Sequence, residues 1–147
     1  MKIDTALLAA QPFLKGLSQA QLAALADNAL EVEFPAGKKI FTEGLAANRF
    51  YILLAGEVAL ESKAGGKGKR LIQTIKAGDV LGWSWLIPPY KWHFDARAVK
   101  PTKAIIFFAI TLRELCDKDH TLGYEWMKRV SKVVIKRLQA ARLQSLK

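Results

Sequence analysis

Hydrophobic positions divide the chain into a helical opening, a strand-rich centre and a helical close. Within Leu17-Ser18-Gln19-Ala20-Gln21-Leu22, Ser18 is placed to cap a helix and Gln21 to return a bond to the Ser18 backbone, with Leu17 and Leu22 as the hydrophobic staple. Leu22, Leu25, Ala26 and Ala29 then recur on one face, which predicts a helix running to about Leu30. A shorter helix is expected over Asp4 to Ala10, stopped by Pro12.

From Glu31 to Ala109 the helical period disappears. Glu57-Val58-Ala59-Leu60-Glu61 alternates as a half-buried strand does, whereas Phe50 to Leu54 and Ala104-Ile105-Ile106-Phe107-Phe108 are continuous apolar runs suited to the inside of a barrel. Pro35-Ala36-Gly37, Glu43-Gly44, Ala55-Gly56, Gly65-Gly66-Lys67-Gly68 and Ala77-Gly78-Asp79 punctuate these runs, because glycine enters positive φ without steric cost. Short strands at this spacing predict a sandwich or barrel. A second capping box, Thr111-Leu112-Arg113-Glu114, with Ile110 and Leu115 as its staple, predicts a short helix after the barrel. The rest, about Asp119 to Ser145, reads as one long helix with Leu122, Trp126, Val130, Val133, Val134, Leu138 and Ala141 as its apolar stripe and the basic residues largely on the other flanks. That stripe is expected to cap the barrel, to pair with a second copy, or to do both.

A chain of 147 residues, 51% hydrophobic, suffices for one domain with one core. The expected division is N-terminal helices over 1–30, a β-roll over 31–110 and C-terminal helices over 111–147. No run of 18 apolar residues occurs and the N-terminus has no secretory signal pattern, so a soluble cytoplasmic protein with no membrane partner is expected. The single cysteine, Cys116, has no internal disulfide partner and reads as a small core residue, and two histidines, His93 and His120, write no Cys/His metal framework. The net charge of +10 is concentrated in the final helix, where Lys128, Arg129, Lys132, Lys136, Arg137, Arg142 and Lys147 face no acidic residue after Trp126, and around Lys63, Lys67, Lys69 and Arg70. A solvated helix face and a hairpin tip account for both clusters; an acidic partner, nucleic acid or a membrane surface is the alternative.

The run Phe34-Pro35-Ala36-Gly37-Lys38-Lys39-Ile40-Phe41-Thr42-Glu43-Gly44, followed by Phe50-Tyr51-Ile52-Leu53-Leu54-Ala55-Gly56-Glu57-Val58, resembles the opening of the cyclic nucleotide-binding domain. Ile75-Lys76-Ala77-Gly78-Asp79-Val80-Leu81-Gly82 is similar to that family's lead into its phosphate-binding cassette. The family includes the sensor halves of catabolite-activator and fumarate-nitrate type regulators, kinase regulatory subunits and gated channels. The resemblance implies a mainly β fold, a jelly-roll-like β-roll with N-terminal helices and a long C-terminal helix, and a cyclic nucleotide as candidate ligand. It also implies a cassette in which backbone N–H groups and one arginine hold the cyclic phosphate, while a glutamate after the cassette glycine takes the ribose hydroxyl.

In this chain the segment runs from Gly82 through Trp83-Ser84-Trp85 to Lys91-Trp92-His93. Trp83 stands at the expected glutamate position, and no arginine lies near Trp92 or His93, where the phosphate arginine is expected. An indole offers one donor and no acceptor. Lys91 or His93 would be the substitute cation and Ser84 a substitute donor, and lysine binds phosphate as a point charge without the arginine fork. The candidate ligand-binding set is therefore Gly82, Trp83, Ser84, Trp85, Lys91, Trp92 and His93. Trp83, Trp85, Tyr90, Trp92 and Phe94, around Pro88-Pro89, leave three readings open: a plug filling the barrel mouth, a pocket for an aromatic, apolar or altered nucleotide ligand, or a partner-protein surface. His93 reads as a hydrogen-bonding residue before a pH switch, and Asp95 with Arg97 as an ordinary surface pair.

Taken together, these features predict a non-enzymatic regulatory sensor domain that binds a small molecule in the roll and signals through its C-terminal helix, within a homodimer formed by that helix. The alternatives are a ligand-free interaction or structural module, and a transcription-regulator-like protein lacking its DNA-binding domain. No helix-turn-helix follows the long helix up to Lys147, so sequence-specific DNA binding by this chain alone is not expected. No nucleophile elbow, dinucleotide fingerprint or P-loop is present.

Overall fold

A computed structural model describes residues 3–62, 70–82 and 90–146. Helix α1 (Thr5–Ala9) is capped by the Asp4 carboxylate, which accepts from the Ala6 N–H at 3.0 Å. A 3-10 turn, Pro12–Leu14, leads to α2 (Gln19–Ala26), whose capping box is formed in both directions between Ser18 and Gln21. The helix ends one turn earlier than its apolar pattern predicts. Ala29 and Leu30 belong instead to β1 (Ala29–Phe34), because the ladder to β8 (Thr102–Phe108) claims their backbone from Ala29 opposite Phe107 to Phe34 opposite Thr102.

Between them lie β2 (Lys39–Phe41), β3 (Arg49–Ala55), β4 (Glu57–Ser62), β5 (Arg70–Lys76), β6 (Val80–Leu81) and β7 (Asp95–Ala98). Two antiparallel four-stranded sheets result, in the orders β1-β8-β3-β6 and β2-β7-β4-β5, and their inner faces make the core of a β-roll. Phe50, Ile52, Val58, Leu60, Ile105 and Phe107 fill it. β4 does not alternate: Val58, Ala59, Leu60 and Glu61 are all buried, since the strand lies between β5 and β7 and Arg97 reaches across onto Glu61 at 3.2 Å. The Gly65-Gly66-Lys67-Gly68 turn and its lysines lie outside the described residues.

Asp95 and Arg97 are not the surface pair that their spacing suggests. Each finds a partner on a neighbouring strand: Asp95, 1% exposed, sits 3.5 Å from the Lys39 ammonium and accepts the Glu43 N–H at 2.7 Å, while Arg97 forks onto Glu61. The loop after β2 folds over Asp95 and needs an acceptor for its backbone, which is why this carboxylate is buried.

Helix α3 (Ala109–Lys118) starts two residues before the predicted capping box, and Thr111 makes no cap. The Ala109 N–H bonds to the Asn48 carbonyl at 2.9 Å, so the end of β8 passes straight into the helix. α4 (His120–Ser145) follows. Its stripe is buried at Leu122, Trp126 and Val130, half-buried at Val133 and Val134, and exposed from Leu138 onwards, where the helix outruns the roll. Trp126 is fully buried, with ring centroids 5.2 Å from Phe13, 5.1 Å from Phe50 and 5.8 Å from Phe107. Its indole N–H has no acceptor among the described residues.

Two expectations follow for urea unfolding. Trp126→Ala should lower stability by about 3–5 kcal/mol, as deletion of a large buried ring does. Trp126→Phe should cost less than half as much, because no hydrogen bond is lost and an unsatisfied donor leaves the core. Gly56, at φ +99°, is held by sterics as well as by turn geometry: a Cβ there would lie 2.6 Å from the Pro101 carbonyl oxygen and 2.7 Å from the Thr102 Cα. Gly56→Ala should therefore cost at least about 2 kcal/mol, whereas Gly37→Ala, with open space around its Cβ position, should cost only about the 1–2 kcal/mol of left-handed strain.

Candidate functional site

β6 ends at Leu81; Gly82 follows it with φ +92°, and the chain's next described residue is Tyr90. A Cβ at Gly82 would meet the ring carbons of Trp92 at 2.8 Å and the Arg49 carbonyl oxygen at 3.0 Å, so this glycine is required by close approach as well as by conformation. The same indole stacks on Phe41 with centroids 3.8 Å apart and planes 9° from parallel, and Phe41 in turn touches Tyr51 and Phe94. Two backbone bonds clamp Trp92 to the loop after β2: its N–H donates to the Leu45 carbonyl at 3.0 Å, and its carbonyl accepts the Gly44 N–H at 2.9 Å. Tyr90 takes a left-handed backbone, φ +56°, with its carbonyl accepting the Ala47 N–H at 2.7 Å and its ring under the Arg113 guanidinium at 4.5 Å. Non-glycine residues held this way cost about 1–3 kcal/mol and cluster where the chain is shaped for a site.

Of the seven residues singled out in the sequence, Gly82 and Trp92 are in contact. Lys91 and His93 flank Trp92 but are exposed, because burial alternates along the segment and Trp92 and Phe94 take its inward positions. Trp83, Ser84 and Trp85 lie outside the described residues. Close to where the resemblance places a phosphate-binding arginine, the buried side chain is an uncharged indole.

The C-terminal helix supplies what that segment lacks. Val134, Arg137, Leu138 and Ala141 of α4 roof a cavity of about 250 Å³ whose floor is Leu60, Ile72, Gln73 and Phe94. Its walls are apolar except for Gln73 and Arg137. The Arg137 guanidinium donates to the Val80 carbonyl, two residues before Gly82, and burial pushes its pKa down to about 10, opposed by Asp79. It therefore remains a cation at neutral pH. In the sequence Arg137 groups with the solvated basic residues of the final helix, and its position three residues after Val134 on the apolar stripe is the signal that it turns inward. The cavity suits a small apolar body carrying one anionic or accepting group, and lies just below the ~300–1,000 Å³ usual for drug-sized ligands.

Among the described residues no group of three His, Cys, Asp or Glu side chains is placed to hold a metal, and no helix is long and apolar enough to cross a membrane. The half-buried Cys116 thiol is pushed up to about 11 by burial and by Asp117 and Asp119, which leaves it almost entirely protonated and unreactive at neutral pH.

Comparison with known proteins agrees with this geometry. The family described as the cyclic nucleotide-binding domain matches residues 31–119. The chain is 25% identical over 99 residues to the CRP-like cAMP-activated global transcriptional regulator of Mycobacterium tuberculosis, a match covering 67% of this chain and 44% of that protein. It is 37% identical over 76 residues to the cAMP-dependent protein kinase regulatory subunit of Eremothecium gossypii, covering 51% of this chain and 16% of that one. The chain thus spans less than half the length of these curated relatives. A solved structure from Geobacter metallireducens GS-15, provisionally assigned as a cyclic nucleotide-binding protein, superimposes with a TM-score of 0.84 at 31% identity, covering 92% of this chain and 98% of that one. With the family's residues matched across the roll and its two-sheet fold reproduced, this chain belongs to the cyclic nucleotide-binding domain family.

Proposed function

We propose that this chain is a non-enzymatic sensor domain that takes a small molecule at the mouth of its β-roll and passes occupancy on through α4. One observation carries the reading: the cavity's floor belongs to the roll and its roof to α4, so whatever fills it must touch the helix. A ligand that favours one position of α4 over another shifts the helix by the difference in its affinity for the two. A cyclic nucleotide is the ligand that family membership suggests, and the matched relatives named for cAMP point the same way. To hold its phosphate this chain would use Lys91 or His93 with Ser84 in place of the cassette arginine, and a nucleotide would have to lift α4 to enter a space of about 250 Å³. A smaller aromatic acid would fit the apolar walls with its anion toward Arg137.

The proposed output is a homodimer through α4, in a cytoplasmic setting. At about 100° per residue, Tyr124, Met127, Ile135 and Leu138 fall on one side of the helix, and all four are exposed. An exposed apolar stripe of this kind commonly pairs with its own copy.

Thermal melting and calorimetry with cyclic AMP, cyclic GMP, benzoate and indole test the ligand reading. A true ligand at about 100 times its Kd adds ~2.7 kcal/mol, which for a domain of this size raises the melting temperature by roughly 5–10 °C. If the cyclic nucleotide reading is right, Lys91→Ala or His93→Ala weakens nucleotide binding at least tenfold. Flat melting curves with all four probes at millimolar concentration would reject the sensor reading in favour of a ligand-free interaction module. For the dimer, light scattering should give twice the 16.3 kDa chain mass, and Met127→Glu with Ile135→Glu should return it to one; a monomeric wild-type chain removes the dimer from the proposal.

A further inference from the structure

On the other side of α4 the structure holds a second, larger recess that the sensor reading does not use. Pro12, Phe13 and Lys15 form one wall, the β5–β6 turn at Gly78, Asp79 and Val80 forms another, and α4 forms the third, around an open groove of about 530 Å³. We propose that this groove binds a compact polyphosphate, a small molecule carrying two or three adjoining phosphates such as a nucleoside triphosphate.

The charge inventory of the groove carries the argument. Lys15, Lys128, Arg129, Lys132, Lys136 and Arg137 line it, against only Asp79 and Glu125. Both carboxylates are engaged: Glu125 pairs with Lys128 at 3.2 Å and with Arg129, and Asp79 accepts the Lys76 N–H at 3.0 Å. Lys15, Lys132 and Lys136 make no ion pair among the described residues, and all 13 acidic residues of the chain are described. Lys132 and Lys136 stand at i, i+4 on the helix, a pair of like charges that opposes helix formation unless something neutralises it. Ligand phosphates would do so, with the lysine arms converging on them from neighbouring turns.

The groove is also shaped in advance. Arg129 bonds both to Glu125 and to the Lys15 carbonyl, tying α4 to the segment after the 3-10 turn, and Arg137 bonds to the Val80 carbonyl, tying it to β6. These two arginines fix the walls relative to one another before any ligand arrives, which reduces the ordering cost of binding. Pro12 and Val133 add an apolar patch at the rim on which a nucleobase can rest. Arg137 lines both this groove and the roll-mouth cavity, so a polyphosphate held here clamps the same helix that the roll ligand would move. Because recognition is by lysines outside the roll, this site stands or falls independently of the cyclic nucleotide reading.

Calorimetric titration of the full chain with sodium tripolyphosphate, ATP and a single-stranded oligonucleotide tests the proposal, with Lys132→Ala/Lys136→Ala as the groove variant and Lys100→Ala/Lys103→Ala as a charge-matched control on β8 and the turn before it. Saturable binding at one site per chain is expected for tripolyphosphate and ATP, weakened at least tenfold in the groove variant and less than twofold in the control. Lys15→Ala, on a separate wall, should reproduce the loss without touching α4. Tighter binding of ATP than of tripolyphosphate assigns the base to the Pro12 and Val133 patch; equal binding assigns recognition to the phosphates alone. Absence of saturation at millimolar ligand overturns the proposal, as does equal weakening in both double variants, which is bulk charge. Preference for the oligonucleotide over both small ligands overturns it in favour of a nucleic-acid contact.

Discussion

The indole of Trp126 is the joint at which the C-terminal helix, the N-terminal turn and the roll meet. Its edge-on contacts with Phe13, Phe50 and Phe107 fix where α4 crosses the two sheets, and the helix's other functions derive from that crossing. With Trp126 seated, Val134 and Leu138 come over Leu60 and Phe94, and Lys132 and Lys136 come over the β5–β6 turn. A ring this large, fully excluded from water, is the largest buried group on a 26-residue helix that is otherwise held by Leu122, Val130, Val133 and Val134.

α4 presents three faces with different chemistry. Leu122, Trp126, Val130 and Val133 turn to the core, Tyr124, Met127, Ile135 and Leu138 form an exposed apolar stripe, and Lys128, Arg129, Lys132 and Lys136 form the basic wall of the groove. A helix that leaves two of its three faces for contacts outside the core is suited to coupling: anything that binds either outer face acts on the same rigid element that roofs the roll. Arg137 shares the roll-facing side of the helix with Trp126 and Val130, with one cavity on each flank, which is why it appears at both.

Where the family resemblance places a phosphate-binding arginine, this chain carries Trp92, and the packing around that residue is as distinctive as its chemistry. Trp92 does not leave a vacancy for a cation, because its indole is wedged between Gly82 and Phe41 and clamped by two backbone bonds to the loop after β2. Among the described residues, the cation that lines the cavity under α4 is Arg137 of the helix. Relatives matching over the same residues support the family, while the local replacement of a cation by an aromatic sets the question of ligand apart from the question of fold.

Features decided within a few residues were legible in the sequence: the Ser18 capping box, and the reversals at Gly37, Gly44, Gly56 and Gly78, where the chain takes a positive φ that glycine adopts without steric cost. The order of these turns, with the long terminal helix, was enough to identify the roll. Where two surfaces compete for a segment, the same reasoning misjudged it. Ala29 and Leu30 fit the stripe of α2 but are taken by the ladder to β8, and Thr111 fits a cap but is overrun because Ala109 already bonds to Asn48. Spacing put Asp95 and Arg97 on one face but was silent about the loop that buries one of them. Local stereochemistry is encoded residue by residue, whereas the inward turn of Arg137, the stacking of Trp92 on Phe41 and the groove beside α4 exist only once distant elements meet, and so only the tertiary structure decided them.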